Sequence, residues 1–237
     1  MKNIRNLTTW KLGDYILQLS VVILGIIITF AVSNAVSAHA KAKEVAQAMQ
    51  IIKNELELNK KTLQKISHTL AYEREASRYI LRFEGQIEKA DRDSLQMYLN
   101  APYTSSRFIY SGNALEMLKS SALIPHVQKK GVILQILDAY NQLENANVTV
   151  SWYYTIKEKN GEHLNEKEYA EFGKRERDLC RNLKENIYKI WKHRIEDNYI
   201  RNILNLAAFG VNFNPIHTAD TTLSQTIELL SKEYDLY

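Results

Sequence analysis

The chain has 237 residues, which leaves room for one good-sized domain and excludes a large multidomain enzyme. Only 8 Gly and 3 Pro, with 24% charged residues, exclude a disordered or loop-rich chain and favour long helices. The formal charge of +4 is concentrated early, in Lys2, Arg5 and Lys11 against Asp14, so the remainder is close to balanced and carries no nucleic-acid footprint.

Residues 1–14 read as a short polar tail, and residues 15–36 as a transmembrane helix. That segment lies inside an uncharged stretch, residues 15–40. As a helix the stretch rises about 39 Å, enough to cross a hydrocarbon core of about 30 Å. Trp10 and Tyr15 fall at its leading edge, where amphipathic rings prefer the headgroup layer, and Lys11 and Asp14 mark the boundary with water. The next most apolar run, residues 203–213, is interrupted by Asn205 and Asn212 and is too short to span. A cleaved signal peptide is the competing reading, because Ala38-His39-Ala40 resembles a small-x-small cleavage site. The apolar run is longer than the usual h-region, and helix-favouring sequence continues through the cut, so an uncleaved anchor fits better. Three basic residues before the span face Lys41, Lys43 and Lys53 after it, so the charge bias nearly cancels. The preferred orientation keeps the tail in the cytoplasm and exports the domain from the cell membrane. Along the span and one residue past its end, Gly25, Thr29, Ser33 and Ser37 recur every four residues, a small-residue stripe that lets two membrane helices approach closely. Hydroxyls bonded back to the preceding turn are the plainer account of the same residues.

Beyond Gly25 no breaker occurs until Gly85, so one helix is expected to continue from the span as a stalk over residues 37–90. Val45, Met49, Ile52, Leu56, Asn59, Leu63, Ile66 and Leu70 recur at steps of four and three, with Ser77 and Ile80 following more weakly. This is a heptad seam with one polar member, Asn59. Such a seam can pair with a second copy in a coiled coil, or pack against the chain's own later helices, and the second is favoured. Residues 91–237 are expected to form a helical soluble domain. Its elements are short helices at 95–100 and 114–121, a long helix at 127–157 ended by Gly161, another at 165–208, and a last helix capped by Asp220. The long helices direct Ile136, Tyr140, Leu143 and Val150, then Phe172, Ile187, Trp191 and Ile195, inward. The expected fold is all-α and bundle-like.

Three places carry a resemblance. The span reads Val22-Ile23-Leu24-Gly25-Ile26-Ile27-Ile28-Thr29-Phe30; it runs directly into Ile51-Ile52-Lys53-Asn54-Glu55-Leu56; and Ala114-Leu115-Glu116-Met117-Leu118-Lys119 precedes a helix that reaches Tyr140. In these features the chain resembles a family of uncharacterised bacterial proteins with one N-terminal span and a helical domain. It differs from that pattern in having Ser33-Asn34-Ala35-Val36 where an asparagine-tryptophan pair is usual. The resemblance implies an architecture and brings no catalytic residue.

Residues able to do chemistry are sparse. His39, His68, His126, His163, His193 and His217 never pair at helical spacing, so no metal site is expected, and no glycine-rich phosphate loop or nucleophile elbow is present. Cys180 is the only cysteine and is expected to be a buried structural thiol. Glu55 with Glu57, Asp91 with Asp93, and the basic stretch from Lys174 to Arg194 read as solvated charge. No cofactor is expected, and whether the chain is an enzyme is left open, with no catalytic activity evident. The leading expectation is a membrane-anchored scaffold or interaction protein, whose partners are the lipid bilayer and a second copy or another membrane protein. Its candidate interface residues are Gly25, Thr29, Ser33, Ser37, Met49, Ile52, Leu56, Asn59 and Leu63. The alternative is a membrane-tethered sensory domain with Trp152, Tyr153 and Tyr154 lining a ligand pocket. The short tail, too small for an output module, weighs against it.

Overall fold

A computed structural model describes residues 5–104 and 106–234, and the side chains of these other than 5–16, Gln18, Lys167 and Tyr169. The tail residues 1–4, and the side chains of Trp10, Lys11, Asp14 and Tyr15 expected at the membrane edge, lie outside that description. The architecture is all-α, with no strand among the described residues. The elements are α1 (Arg5–Arg82), α2 (Arg92–Met97), α3 (Asn113–Ser120), α4 (Lys130–Leu164), α5 (Lys167–Cys180), α6 (Leu183–Glu196), α7 (Asn198–Asn205) and α8 (Asn214–Tyr234).

α1 is one helix of 78 residues, about 117 Å long, and it begins inside the segment expected to be a tail. Residues 19–40 are exposed without exception, and the large apolar side chains among them stay in the open, Leu24 at 60% and Phe30 at 65%. This is a helix long and apolar enough to cross a membrane. From Val45 onward its character changes, and Val45, Met49, Ile52, Leu56, Leu63, Ile66 and Leu70 are buried in the protein's own core. The heptad stripe thus packs in one core with apolar residues of α4 and α8. α1 stops at Arg82, eight residues before the expected end of the stalk, in a turn around Gly85.

α1, α4 and α8 form a three-helix bundle. α4 runs parallel to α1: Tyr140 reaches Glu55 near its start, and Tyr153 and Lys157 reach Glu73 further along. α8 returns in the opposite direction, with Gln64 bonded to Asp220 at one level and Lys129 paired with Glu233 near the exposed segment. A second core closes the far end, where Ala76, Ile80, Leu95, Ile187, Trp191 and Ile200 from α1, α2, α6 and α7 pack together. The molecule is therefore a bare apolar rod, a proximal bundle and a distal lobe, in that order along α1.

Several element ends differ from expectation for identifiable reasons. α4 runs through Gly161 to Leu164, because Leu164 buries in the distal core, and an interior glycine costs a helix only about 1 kcal/mol. The expected helix over 165–208 is three helices with a π-turn at Leu206–Gly210. Asp197 makes one of the breaks by accepting from the backbone N–H of Tyr199 (2.9 Å) and Ile200 (3.0 Å), an N-cap that starts α7. α8 begins at Asn214 with Pro215 in its first turn, so Asp220 lies inside the helix and caps nothing.

Asn59, the polar member of the stripe, is spent within the chain. It is buried, donates to the Ser111 carbonyl (2.8 Å) and accepts from the Ser111 N–H (2.8 Å). Beside it, Glu55 accepts from the Ser111 hydroxyl and the Ala114 N–H and so caps α3 from outside, which corrects the expectation that this carboxylate is merely solvated. Replacing Asn59 by Ala should cost about 1–3 kcal/mol, since it strands a buried backbone donor and acceptor. Native mass measurement should show the same oligomeric state for variant and parent; a change in oligomer number would return Asn59 to an inter-chain seam.

Candidate functional site

Halfway between the two cores lies a buried polar centre. Glu73 on α1 and Lys157 on α4 are 1% and 5% exposed and form an ion pair of 2.9 Å. The carboxylate also accepts from the hydroxyls of Tyr153, Tyr154 (3.2 Å) and Thr104 (2.7 Å). Lys157 directs its other donors at the carbonyls of Thr104 and Ala101 (3.4 Å), and its ammonium stands 5.4 and 5.5 Å from the two tyrosine rings. Local sequence explains the convergence: Tyr153 and Lys157 are one turn apart on α4, and Thr104 follows the turn Ala101–Tyr103 that ends in extended backbone.

The environment fixes the protonation of these phenols. Burial, followed by the charge of Glu73, raises Tyr153 and Tyr154 well above an ordinary phenol. Tyr140, which donates to Glu55 (2.5 Å), is raised by burial and then by that hydrogen bond. Lys157 is pushed below the usual lysine value by burial, against the opposing pull of Glu73. Around Glu73 both oxygens are occupied by protein donors, so the centre presents no open face to a substrate. Its chemistry is that of a lock.

Tyr153 and Tyr154 accordingly end on Glu73 and line no pocket, while Trp152 points outward at 48% exposure; the expected aromatic pocket does not form. Of the candidate interface residues, Met49, Ile52, Leu56, Asn59 and Leu63 are buried within the chain. Gly25, Thr29, Ser33 and Ser37 all lie on the bare segment of α1, where the Thr29 hydroxyl donates back to the Gly25 carbonyl (2.7 Å). Among the described residues no three His, Cys, Asp or Glu side chains gather as metal ligands would.

Two further arrangements differ from the sequence expectation or lie outside it. Arg194, read from sequence as solvated, is 3% exposed; it is paired with Glu176 and the Leu99 carbonyl, and its guanidinium lies over Trp191 (5.0 Å) and Tyr103 (4.8 Å). It closes one wall of a cleft of about 450 Å³ in the distal lobe, which Cys180 also lines. Cys180 is exposed, not buried as expected, and partial burial and then Glu176 push its thiol up, away from the reactive thiolate. On the other side, Arg74 and Arg78 donate to the carbonyls of Val211 (2.8 Å) and Ala208 (3.0 Å), holding the π-turn and its exit against α1. Arg74 and Arg78 are one turn apart on α1, the only part of this arrangement visible in the sequence, and the Arg74 guanidinium lies 3.4 Å over the Phe213 ring.

Glu73→Gln should leave Lys157 buried without its counter-charge and cost about 3–5 kcal/mol in urea unfolding followed by tryptophan fluorescence. Adding Lys157→Met to it should recover part of the loss; a loss that merely adds would show the two groups to be independent. In alkali the raised phenols keep protons that the unfolded chain releases near its ordinary value of 10.0. Their contribution is full below that pH and is lost as pH rises toward the folded values. Lys157, lowered on folding, opposes part of this loss up to its unfolded value of 10.5. Net stability should therefore fall above about pH 10, and less steeply in Tyr153→Phe; equal slopes would remove Tyr153 from the titration.

Comparison with known proteins adds no relative: no family model, no curated protein and no solved structure matches this chain.

Proposed function

We propose that the protein is a membrane-anchored helical scaffold, crossing the bilayer once through residues 15–36 and holding its domain on the extracytoplasmic side of the cell membrane. One observation carries the reading. The residues of 19–40 are all exposed, while the same helix, a few residues on, buries its apolar face completely. A rod of exposed Leu, Ile, Val and Phe is stable in hydrocarbon and not in water. Because α1 runs without interruption from the span to Arg82, it carries the distal lobe about 70 Å beyond the bilayer boundary. Such a body suits the role of a spacer and partner-binding platform, as a subunit of a membrane complex.

With the seam residues of the bundle used internally, the stripe of Gly25, Thr29, Ser33 and Ser37 is the face through which the span meets a second copy or another membrane protein.

The full chain should resist alkaline carbonate extraction and float with lipid vesicles, and a reporter at the C-terminus should be active only outside the cytoplasm. Gly25→Leu with Ser33→Leu should lower crosslinking between spans several-fold without changing extraction. Release of the protein by carbonate would end the anchoring reading, and unchanged crosslinking would end the role of the stripe.

A further inference from the structure

We infer that the membrane-proximal tip of the domain, the turn Ile124–His126 with the start of α4, docks on the anionic headgroups of the same bilayer that holds α1. The inference rests on the anchorage proposed above and adds a second contact to it. Geometry brings the tip down. α3 begins beside Glu55 and runs back along α1, and the turn after it lies against Ala42 and Val45, where His126, Lys129 and Tyr234 enclose a recess of about 370 Å³. Ala42 and Val45 stand six and nine residues past the end of the span, about 9 and 14 Å along the helix. The headgroup layer occupies about 5–8 Å of that height on each side of the hydrocarbon. The recess therefore opens just above the headgroups, and side chains projecting from its rim reach into them.

Chemistry at the tip fits that surface. Lys41, Lys119 and Lys129 are paired with Glu44, Glu116 and Glu233, whereas Lys43, Lys130 and Lys232 take part in no ion pair among the described residues. Among the described residues these three cations have no carboxylate partner, and Lys43 on α1 and Lys130 at the start of α4 stand nearest the headgroup phosphates. Ile124 and Pro125 are exposed at the same tip, apolar groups that water does not favour and the headgroup boundary does. The distal lobe has no comparable route to lipid, being tens of ångströms further along α1. With two attachment points, the span and the tip, the bundle can no longer rotate freely about α1, so the distal lobe presents a fixed face.

The test uses the full chain with its exposed cysteine removed (Cys180→Ser), in nanodiscs of phosphatidylcholine alone or mixed with phosphatidylglycerol, containing lipids with a headgroup nitroxide. A fluorophore is placed in turn at Ile124→Cys, at Ser37→Cys beside the span, and at Asp93→Cys in the distal lobe. Docking predicts strong quenching at 124 and 37 and almost none at 93, with 124 quenched more in the anionic discs. Lys43→Glu with Lys130→Glu should reduce quenching at 124 several-fold and leave 37 unchanged. Quenching at 37 without quenching at 124 overturns the docking and leaves the anchor standing. Absence of quenching at 37 overturns the anchor and the docking with it. Insensitivity of 124 to both lipid charge and the lysine reversals overturns the role of anionic headgroups.

Discussion

The Glu73–Lys157 pair is the constraint on which the arrangement of the domain depends. Two charges removed from water are tolerated only when every polar atom around them is satisfied, and here the donors of Tyr153, Tyr154, Thr104 and Lys157 converge on a single carboxylate. Its position gives it consequence. Leu70 belongs to the proximal core and Ala76 to the distal one; Tyr154 and Leu164 divide in the same way on α4, as do Phe108 and Ala101 on the connection between α2 and α3. All three segments cross from one core to the other at the level of Glu73. Sliding any of them by a helical turn would leave the apolar stripes nearly as well packed but would separate the charges, so the centre sets the register in which bundle and lobe are joined.

The same device recurs along α1 at smaller scale. Asn59 replaces an apolar residue in the stripe and grips the backbone of Ser111, Glu55 caps α3, and Arg74 and Arg78 hold the carbonyls at the π-turn. Each of these polar groups on the long helix addresses a segment that is not itself a long helix, and Glu55 accepts in addition from Tyr140 of α4. Hydrophobic burial draws the three long helices together without specifying where the short connections go; α1 specifies that with hydrogen bonds. Placing the arginines one turn apart costs some repulsion, which the carbonyls they meet and the Phe213 ring under Arg74 offset.

What the sequence made legible was what depends on period and composition. The uncharged stretch of residues 15–40, the seven-residue repeat from Val45 to Leu70, and the scarcity of Gly and Pro were enough for the all-α architecture and the long first helix. What it hid depends on contacts across the chain. Gly161 looked like a breaker because its helix penalty is local, while the burial of Leu164 that outweighs it lies in another core. Asp197 was overlooked as a cap because its neighbours continue a helical pattern, and only the bonds to Tyr199 and Ile200 reveal the break. Lys157 and Arg194 were indistinguishable from surface charge, since nothing within a few residues of either announces Glu73 or Glu176. Buried ion pairs are long-range facts, and periodicity reads only short-range ones.

The continuity of α1 ties these levels together. In many helical proteins a flexible joint separates membrane helix from domain, so that motion of one is lost before it reaches the other. Here no Gly or Pro interrupts residues 26–82, and the hydrogen-bond ladder that begins on the bare segment is the one that positions Glu73. On the proposed anchorage, a tilt or displacement of the span is delivered as a rigid-body movement of the stripe against α4 and α8, about 55 Å from the bilayer boundary at Glu73. A packed core resists such movement continuously and yields in discrete steps. The buried pair is the least compliant point in its path, because any step that parts Glu73 from Lys157 exposes the full cost of an uncompensated buried charge. On that anchorage the physical design is that of a stiff mount, which would transmit position from membrane to distal lobe and resist internal rearrangement on the way.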